Sequence, residues 1–135
     1  MEKWKEPKVY AAKHSDEDVR AKSRSGGVFT ALSDEIFTNK GVVYGCVLTE
    51  DFQAIHTRAE ESSVRDKMRG SKYIQSRMGN TYKQVRADLE AGRNVLFSGT
   101  SCQIAGLQCF LGKEYEKLIC VDIVCHGVPS PKIWR

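Results

Sequence analysis

Two cysteines of this chain stand at positions where a thiol could do chemistry. Cys102 follows the apolar run 95–97 and begins a helical pattern, and Cys125 follows the apolar run 118–124. A thiol at a helix N-terminus is expected to have a lowered pKa, because the backbone N–H groups there favour the thiolate. The thiolate is the form that binds iron or zinc and the form that attacks. Three roles follow: iron–sulfur ligands, a nucleophile with His126, or a redox pair.

The remaining cysteines do not complete a recognisable metal motif. The chain has five cysteines, and no two of them form a CxxC pair. Cys109 lies two helical turns further along the same helix, roughly 10 Å away. Cys46 and Cys120 fall within predicted strands, where core packing is the simplest role. His126 directly follows Cys125, and adjacent side chains of an extended chain point in opposite directions, which weakens a cysteine–histidine pair.

Cys102 and Cys125 belong to a predicted βαβ unit at residues 94–124. Residues 94–98 predict a buried strand, residues 102–111 a helix, and residues 118–124 a second buried strand. The carboxyl ends of parallel strands share one edge of a sheet, and ligands of open α/β sheets bind there. We therefore expect Cys102 and Cys125 to lie near each other at that edge.

The turn Ser25-Gly26-Gly27 is a candidate anion site. It precedes a helical pattern over residues 26–39, with Ser25 as the expected N-cap and Gly41 as the C-terminal glycine. The backbone N–H groups at the start of such a helix can bind a phosphate, although the same residues can also merely begin a helix.

The segment 70–76, GSKYIQS, mixes groups that could hold a polar planar ring. Lys72 offers a positive charge, Tyr73 a stacking face, and Gln75 both a donor and an acceptor. An edge strand with a mixed surface explains the same residues equally well. A basic patch at Arg65, Lys67, Arg69 and Lys72 could meet an anionic cofactor or form a solvated surface.

The remaining patterns complete an α/β protein. They predict strands at 41–49 and 52–58, a short polar helix at 60–69, and an amphipathic helix at 80–91. His56 is interpreted as a packing or surface residue rather than a ligand, and Asp88 as an outward-facing residue. The predicted fold class is α/β, with a mixed, partly parallel sheet flanked by helices.

Composition narrows the class of protein. The chain has 135 residues and a net charge of +4, with basic and acidic residues interspersed, which disfavours nucleic-acid binding. No apolar run approaches the roughly 20 residues of a membrane span, and the first residues lack the apolar segment of a signal peptide, so we expect a cytoplasmic protein. We interpret residues 1–22 as an irregular lead-in or linker and 23–135 as one α/β domain. The last three residues, 133–135, predict the start of another helix, so we expect the domain to continue.

Four motifs in order resemble the coenzyme F420 hydrogenase/dehydrogenase beta-subunit family, in particular its bacterial members with a ferredoxin-like segment. The motifs are SRSGGVFTAL, GSKYIQS, VLFSGTSCQIAGL and DIVCHGVPSP, and the resemblance covers about residue 22 to the end. It implies part of a larger flavin- and iron–sulfur-dependent oxidoreductase. Such an enzyme transfers electrons between FAD, a 4Fe–4S cluster and a small-molecule substrate such as a deazaflavin coenzyme, with a ferredoxin-like domain or another redox subunit as partner.

The resemblance also implies roles for individual residues. Cys102 and Cys125 would be cluster ligands, and Lys72 would be catalytic, near the flavin ring or an acidic substrate. The residues that contact FAD would be Ser25, Gly26, Gly27, Gly70, Ser71, Lys72, Tyr73, Gln75, Thr100 and Gln103. The residues themselves leave two alternatives open: a cysteine-nucleophile enzyme using Cys102, and a cofactor-free structural or docking domain.

Overall fold

The computed structural model describes residues 6–130 and 132–133. The strands are β1 (Val42–Leu48), β2 (Ala54–Ala59), β3 (Val95–Thr100) and β4 (Leu118–Ile123). The helices are α1 (Glu17–Ser23), α2 (Val28–Thr38), α3 (Ser62–Arg65) with a following 3-10 turn (Asp66–Met68), α4 (Thr81–Glu90) and α5 (Ser101–Leu111). Within these ranges no helix has the length and apolar character needed to cross a membrane.

The four strands form one mixed sheet in the order β2-β1-β3-β4. β2 runs antiparallel to β1, whereas β1, β3 and β4 are parallel to one another. β3, α5 and β4 make up the βαβ unit expected at residues 94–124. The predicted fold class is thereby confirmed.

The sheet is covered on both faces, which explains why its central strands are apolar throughout. On one face α4 and α5 pack against Tyr44 and Phe97, both completely buried. On the other face α2 and the 3-10 turn cover Val43 and Leu96. Burial of a side chain as large as Phe97 contributes about 3 kcal/mol by removing apolar surface from water.

β4 differs from the prediction of a buried strand. Ile119 and Ile123 are 47% and 45% exposed. The reason is topological, because β4 is the last strand of the sheet and pairs only with β3 among the described residues. Apolar composition predicted a strand here correctly but could not tell an edge position from a central one.

The lead-in also differs from the irregular segment that the sequence predicted. Residues 17–23 form α1, which begins where the Asp16 carboxylate accepts hydrogen bonds from the backbone N–H groups of Asp18 and Val19. This N-cap compensates for the weak apolar pattern, since it satisfies donors that the first turn leaves unpaired. The first five residues, as well as Trp134 and Arg135, where the start of a further helix was predicted, lie outside the described residues.

Asp88 faces inward, so its predicted outward orientation is wrong. Its carboxylate accepts a hydrogen bond from the Tyr44 hydroxyl at 2.5 Å and two from the Arg58 guanidinium, each at 2.8 Å. Glu60 and Arg93 extend this group of charges at the surface. The group lies towards the amino edge of the parallel strands, because Arg93 also donates to the carbonyl just before β1.

Candidate functional site at the carboxyl edge of the sheet

Cys102 and Cys125 lie at the same edge of the sheet. The last paired residues of β3 and β4 are Thr100 and Ile123, so each cysteine stands two residues beyond a paired position. Both thiols are exposed, and Cys125 Sγ accepts a hydrogen bond from Gly127 N–H at 3.2 Å. The strand register therefore produces the shared edge that the βαβ pattern predicted, while the role of the two cysteines as metal ligands stays a prediction.

Side-chain hydrogen bonds fix the start of α5. Gln103 Oε1 accepts from the backbone N–H of Thr100 at 3.0 Å, which satisfies one of the donors at the helix start. Cys102 Sγ lies 3.2 Å from the Thr100 hydroxyl. Ser101 Oγ donates to Asp122 at 3.0 Å and so joins the helix start to the end of β4. The thiol of Cys102 is thus presented by a turn that is held from two sides.

Loop 70–77, between the 3-10 turn and α4, is attached to this edge. Lys72 Nζ donates to the backbone carbonyls of Lys67 and Arg69 at 3.1 and 2.9 Å. Ser76 Oγ accepts from Gln103 Nε2 at 2.8 Å. The second contact brings the loop to the first turn of α5, next to the exposed thiol there.

Cys46 joins the site, although the sequence indicated only a core role. Burial raises the pKa of the Cys46 thiol, and the opposing effects come from Lys72 and from Ser76. Burial likewise lowers the pKa of Lys72, against the influence of Cys46. Cys46 pairs with His56 across β1 and β2, so it lies beside the residue that contacts Ser76.

The loop presents three exposed polar groups. Ser71, Tyr73 and Gln75 are exposed, Tyr73 to 82%, and none of the three side chains has a hydrogen-bond partner among the described residues. Gly70 has φ +77°, and a Cβ added to it would meet no atom within 4 Å. A hydroxyl, an aromatic ring and an amide therefore face solvent, where each is free to contact a ligand.

The turn before α2 packs against the lead-in. Gly27 is the N-cap of α2, with φ +75°, so the prediction that Ser25 caps the helix is wrong. A Cβ on Gly26 would lie 2.9 Å from the Ala12 carbonyl oxygen, and one on Gly27 would lie 3.0 Å from His14 Cβ. The two glycines are therefore required by contacts inside the chain, and Ser25 is the exposed residue of the turn.

Two arginines of the basic patch, Arg65 and Arg69, form ion pairs within the protein. Arg65 is 2% exposed and binds Asp34 and Asp66, each at 2.8 Å. Arg69 binds Asp66 at 2.9 Å and donates to the Thr30 hydroxyl at 3.1 Å. Both guanidinium groups are therefore engaged within the protein, and they hold the 3-10 turn against the first turn of α2. Lys72 belongs to the loop itself, and its ammonium group binds the backbone of the preceding 3-10 turn and Arg69.

The described residues contain no cluster of three or more His, Cys, Asp or Glu side chains arranged to hold a metal ion. Cys102 and Cys125 supply two thiols, half of the four that an iron–sulfur cluster usually takes. Their donor chemistry suits such a cluster, whereas the number of donors requires further ligands. A nucleophile with an adjacent base gains no support, since the described contacts of Cys102 include a hydroxyl and no histidine.

Two residues of this edge were not assigned to a site from the sequence. Ser76 contacts both Gln103 and His56, and His56 is only 8% exposed with its ring stacked on Phe97 at 5.5 Å. Packing was one of the two roles expected for His56. The sequence held one signal of this burial: His56 is two residues from Ala54 in the same strand, so both side chains lie on one face of the sheet.

Comparison with known proteins identifies the family. Residues 9–83, more than half of the chain, match the model described as "Coenzyme F420 hydrogenase/dehydrogenase, beta subunit N-term". The chain belongs to this family. The matched residues include the motifs around Ser25 and Lys72, whereas Cys102 and Cys125 lie beyond them. No curated protein matches the chain.

A solved structure shares the fold. A chain in the structure of the F420-reducing [NiFe] hydrogenase complex from Methanosarcina barkeri is 21% identical, with a TM-score of 0.67. The similarity covers 89% of the present chain and 44% of the other, so this chain spans less than half the length of that relative.

Proposed function

We propose that this chain is part of an oxidoreductase that transfers electrons between FAD, a 4Fe–4S cluster and a small-molecule substrate such as a deazaflavin coenzyme. Family membership supports the redox class. The observation that carries the proposal is the convergence of two exposed thiols, on Cys102 and Cys125, with a loop of exposed ring-binding groups at one sheet edge.

The groups of loop 70–77 suit a flavin. Tyr73 offers its ring for stacking, and Ser71 and Gln75 offer hydrogen bonds, without giving up any contact within the described residues. The ammonium group of Lys72 has three donors, of which two bind backbone carbonyls, so one is left for a flavin oxygen or an acidic substrate. Ser25 supplies an exposed hydroxyl for a phosphate beside the start of α2. FAD would supply the exchange between hydride and single-electron chemistry that such a reaction needs.

Thr100 and Gln103 contribute by shaping the edge. The amide of Gln103 is occupied at both ends, by Thr100 N–H and by Ser76 Oγ, so its role is to hold the loop and the helix start together. The Thr100 hydroxyl can donate to a Cys102 thiolate, as Gly127 N–H does to Cys125 Sγ. Hydrogen bonds to ligand sulfur are among the factors that set a cluster's reduction potential.

The test is cofactor content of the complete protein, expressed and purified anaerobically. We expect FAD, iron and sulfide in the wild type. Cys102→Ser and Cys125→Ser should each lose most of the iron and sulfide, because a hydroxyl is a poor replacement for a soft thiolate ligand. Cys109→Ser is the matched control: this thiol is also exposed and lies on the same helix, but two turns away from the edge.

The outcomes separate the alternatives. Iron and sulfide retained in both edge variants would remove these cysteines from the ligand set. A wild-type protein without iron, sulfide or FAD would refute the proposal. In such a colourless protein, selective alkylation of Cys102 would favour a thiol-based enzyme, and the lack of any reactive thiol would favour a docking domain. A redox partner, such as a ferredoxin-like domain, is part of the same proposal.

A further inference from the structure

A chain of side-chain hydrogen bonds runs beneath loop 70–77 from β2 to α5. His56 Nε2 lies 3.1 Å from the backbone carbonyl oxygen of Ser98, and His56 Nδ1 lies 2.9 Å from Ser76 Oγ. Ser76 Oγ accepts from Gln103 Nε2 at 2.8 Å, and Gln103 Oε1 accepts from Thr100 N–H at 3.0 Å. Cys102 directly precedes Gln103 in sequence, so the chain of bonds ends at the candidate site.

Every bond in this chain has a defined direction. The Ser98 carbonyl can only accept, so His56 must carry its proton on Nε2. Burial lowers the pKa of His56, which favours the neutral ring and leaves Nδ1 as an acceptor. The Ser76 hydroxyl therefore donates to Nδ1, and its oxygen accepts from the Gln103 amide. The four hydrogen bonds are thereby compatible with one another in a single arrangement.

The loop is also fixed to β2 through its backbone. His56 N–H donates to the carbonyl of Arg77 at 3.0 Å, and Arg77 N–H donates to the carbonyl of Ala54 at 2.9 Å. The end of the loop therefore moves with His56, while its other residues remain exposed. The side-chain contact of His56 with Ser76 adds to these backbone bonds and connects them to Gln103.

We propose that His56 is a positioning residue of the flavin site: through Ser76 and Gln103 it sets the place of loop 70–77 relative to the N-terminus of α5. This inference rests on the proposed function, because the loop is assigned to FAD there. His56 does not itself reach the ligand surface, since its ring is enclosed between Phe97 and the loop.

The first test uses FAD affinity of the complete protein, measured by flavin fluorescence. Ser76→Ala leaves the Gln103 amide and His56 Nδ1 without a partner, and we expect about a tenfold weaker affinity for FAD. Ser76→Thr keeps the hydroxyl and should restore most of the affinity. Ser62→Ala, at an exposed serine of α3, should leave it unchanged. Equal affinity in Ser76→Ala and in wild type would overturn the positioning role.

The second test reads the direction of the bonds and does not depend on FAD. In Gln103→Glu the introduced carboxylate cannot donate to Ser76, so the Ser76 hydroxyl must donate to it and His56 Nδ1 must become a donor. We therefore expect the pKa of His56 to rise, and His56 to become doubly protonated, in this variant. The titratable groups around His56 are Cys46 opposite it in β1, Lys72 of the loop, Tyr82 against Phe97, and Arg58 and Arg77 beside the adjacent groove.

Nitrogen NMR of 15N-histidine-labelled protein gives this readout, because it distinguishes the two tautomers from the charged ring. The signals of His56 are assigned by their loss in His56→Gln. A wild-type ring protonated on Nδ1, or a His56 pKa unaltered by Gln103→Glu, would show that the bond chain does not exist and would overturn the inference. A wild type that binds no FAD but shows the expected NMR signals would refute the proposed function, and the flavin-positioning role with it, while leaving the hydrogen-bond chain established.

Discussion

Replacement of Asp88 by asparagine should destabilise the fold by about 2–3 kcal/mol. The side chain keeps its shape, but the charge that receives two hydrogen bonds from Arg58 and one from Tyr44 is lost. Breaking a buried ion pair costs about 3–5 kcal/mol, and a hydrogen bond to a charged group contributes about 1.5–3 kcal/mol. We expect about 2–3 kcal/mol, less than the cost of breaking a fully buried ion pair, because the Arg58 side chain is 29% exposed and water can solvate it in the variant.

The same pair gives the prediction a pH dependence with a definite sign. Burial alone would raise the pKa of Asp88, but the hydrogen bonds from Arg58 and Tyr44 outweigh it and hold the pKa below its ordinary value. The stabilisation is therefore fully present above the unfolded-state pKa of about 3.9 and is lost as the pH falls through the lower folded-state pKa. Asn does not titrate, so the difference between variant and wild type should shrink below about pH 4.

Urea denaturation followed by circular dichroism between pH 3 and pH 7 measures both effects. Glu90→Gln is the control, because Glu90 is an exposed carboxylate on the same helix. A loss below about 0.5 kcal/mol, the range of ordinary surface substitutions, would contradict the reasoning. So would a larger loss that stays constant from pH 7 down to pH 3, since the charge would then not be its source.

Two further predictions concern the supports of the site. Gly45→Ala places a Cβ 2.8 Å from Met68 Sδ, and we expect it to lower the free energy of unfolding by about 1–3 kcal/mol. In a double-mutant cycle measured by urea denaturation, the effects of Gly45→Ala and Met68→Ala should be less than additive. Strict additivity would exclude the contact. Lys72→Met should weaken FAD or acidic-substrate binding, and in the wild type that binding should weaken with rising pH already below 10.5, because burial lowers the pKa of Lys72. Lys83→Met, at an exposed lysine of α4, serves as its control in the same titration, and unchanged affinity in Lys72→Met would remove Lys72 from the site.

The sequence predicts the secondary structure well where apolar spacing decides it, and poorly where a polar side chain is turned inward. A pattern argument assigns Asp88 to solvent because of its charge, although it lies three residues from Val85 on the buried face of α4. Its partners Tyr44 and Arg58 are brought to it by the sheet. Arg65 is a similar case, because its partner Asp34 lies on α2, a separate element. Pairs so distant in sequence have no local signature, so their burial becomes visible only in the fold.

The candidate site likewise has one part that the sequence predicts and one part that it does not. The shared edge of Cys102 and Cys125 follows from chain connectivity, since a strand, a helix and a parallel strand leave both turns on one side. The contact of Ser76 with Gln103 and His56 does not follow, because it joins a strand, a loop and a helix through side chains alone. Residue types indicated that loop 70–77 could hold a ring, but the anchor that fixes the loop could not be predicted from them.

Charged groups stabilise the amino edge of the parallel strands, whereas neutral hydrogen bonds position the loop at the carboxyl edge. The stability of the fold and the binding of a ligand should therefore depend on pH in different ways. Asp88 and Arg58 bind through charges, so acid below about pH 4 should weaken the scaffold first. The bonds from His56 to Gln103 are neutral, and burial lowers the pKa of Lys72, so its charge is lost as the pH rises, at a lower pH than for an exposed lysine. FAD affinity should therefore fall on the alkaline side while the fold remains intact. If FAD release and unfolding coincided at every pH, ligand loss would merely report unfolding, and Lys72 would have no separate part in binding.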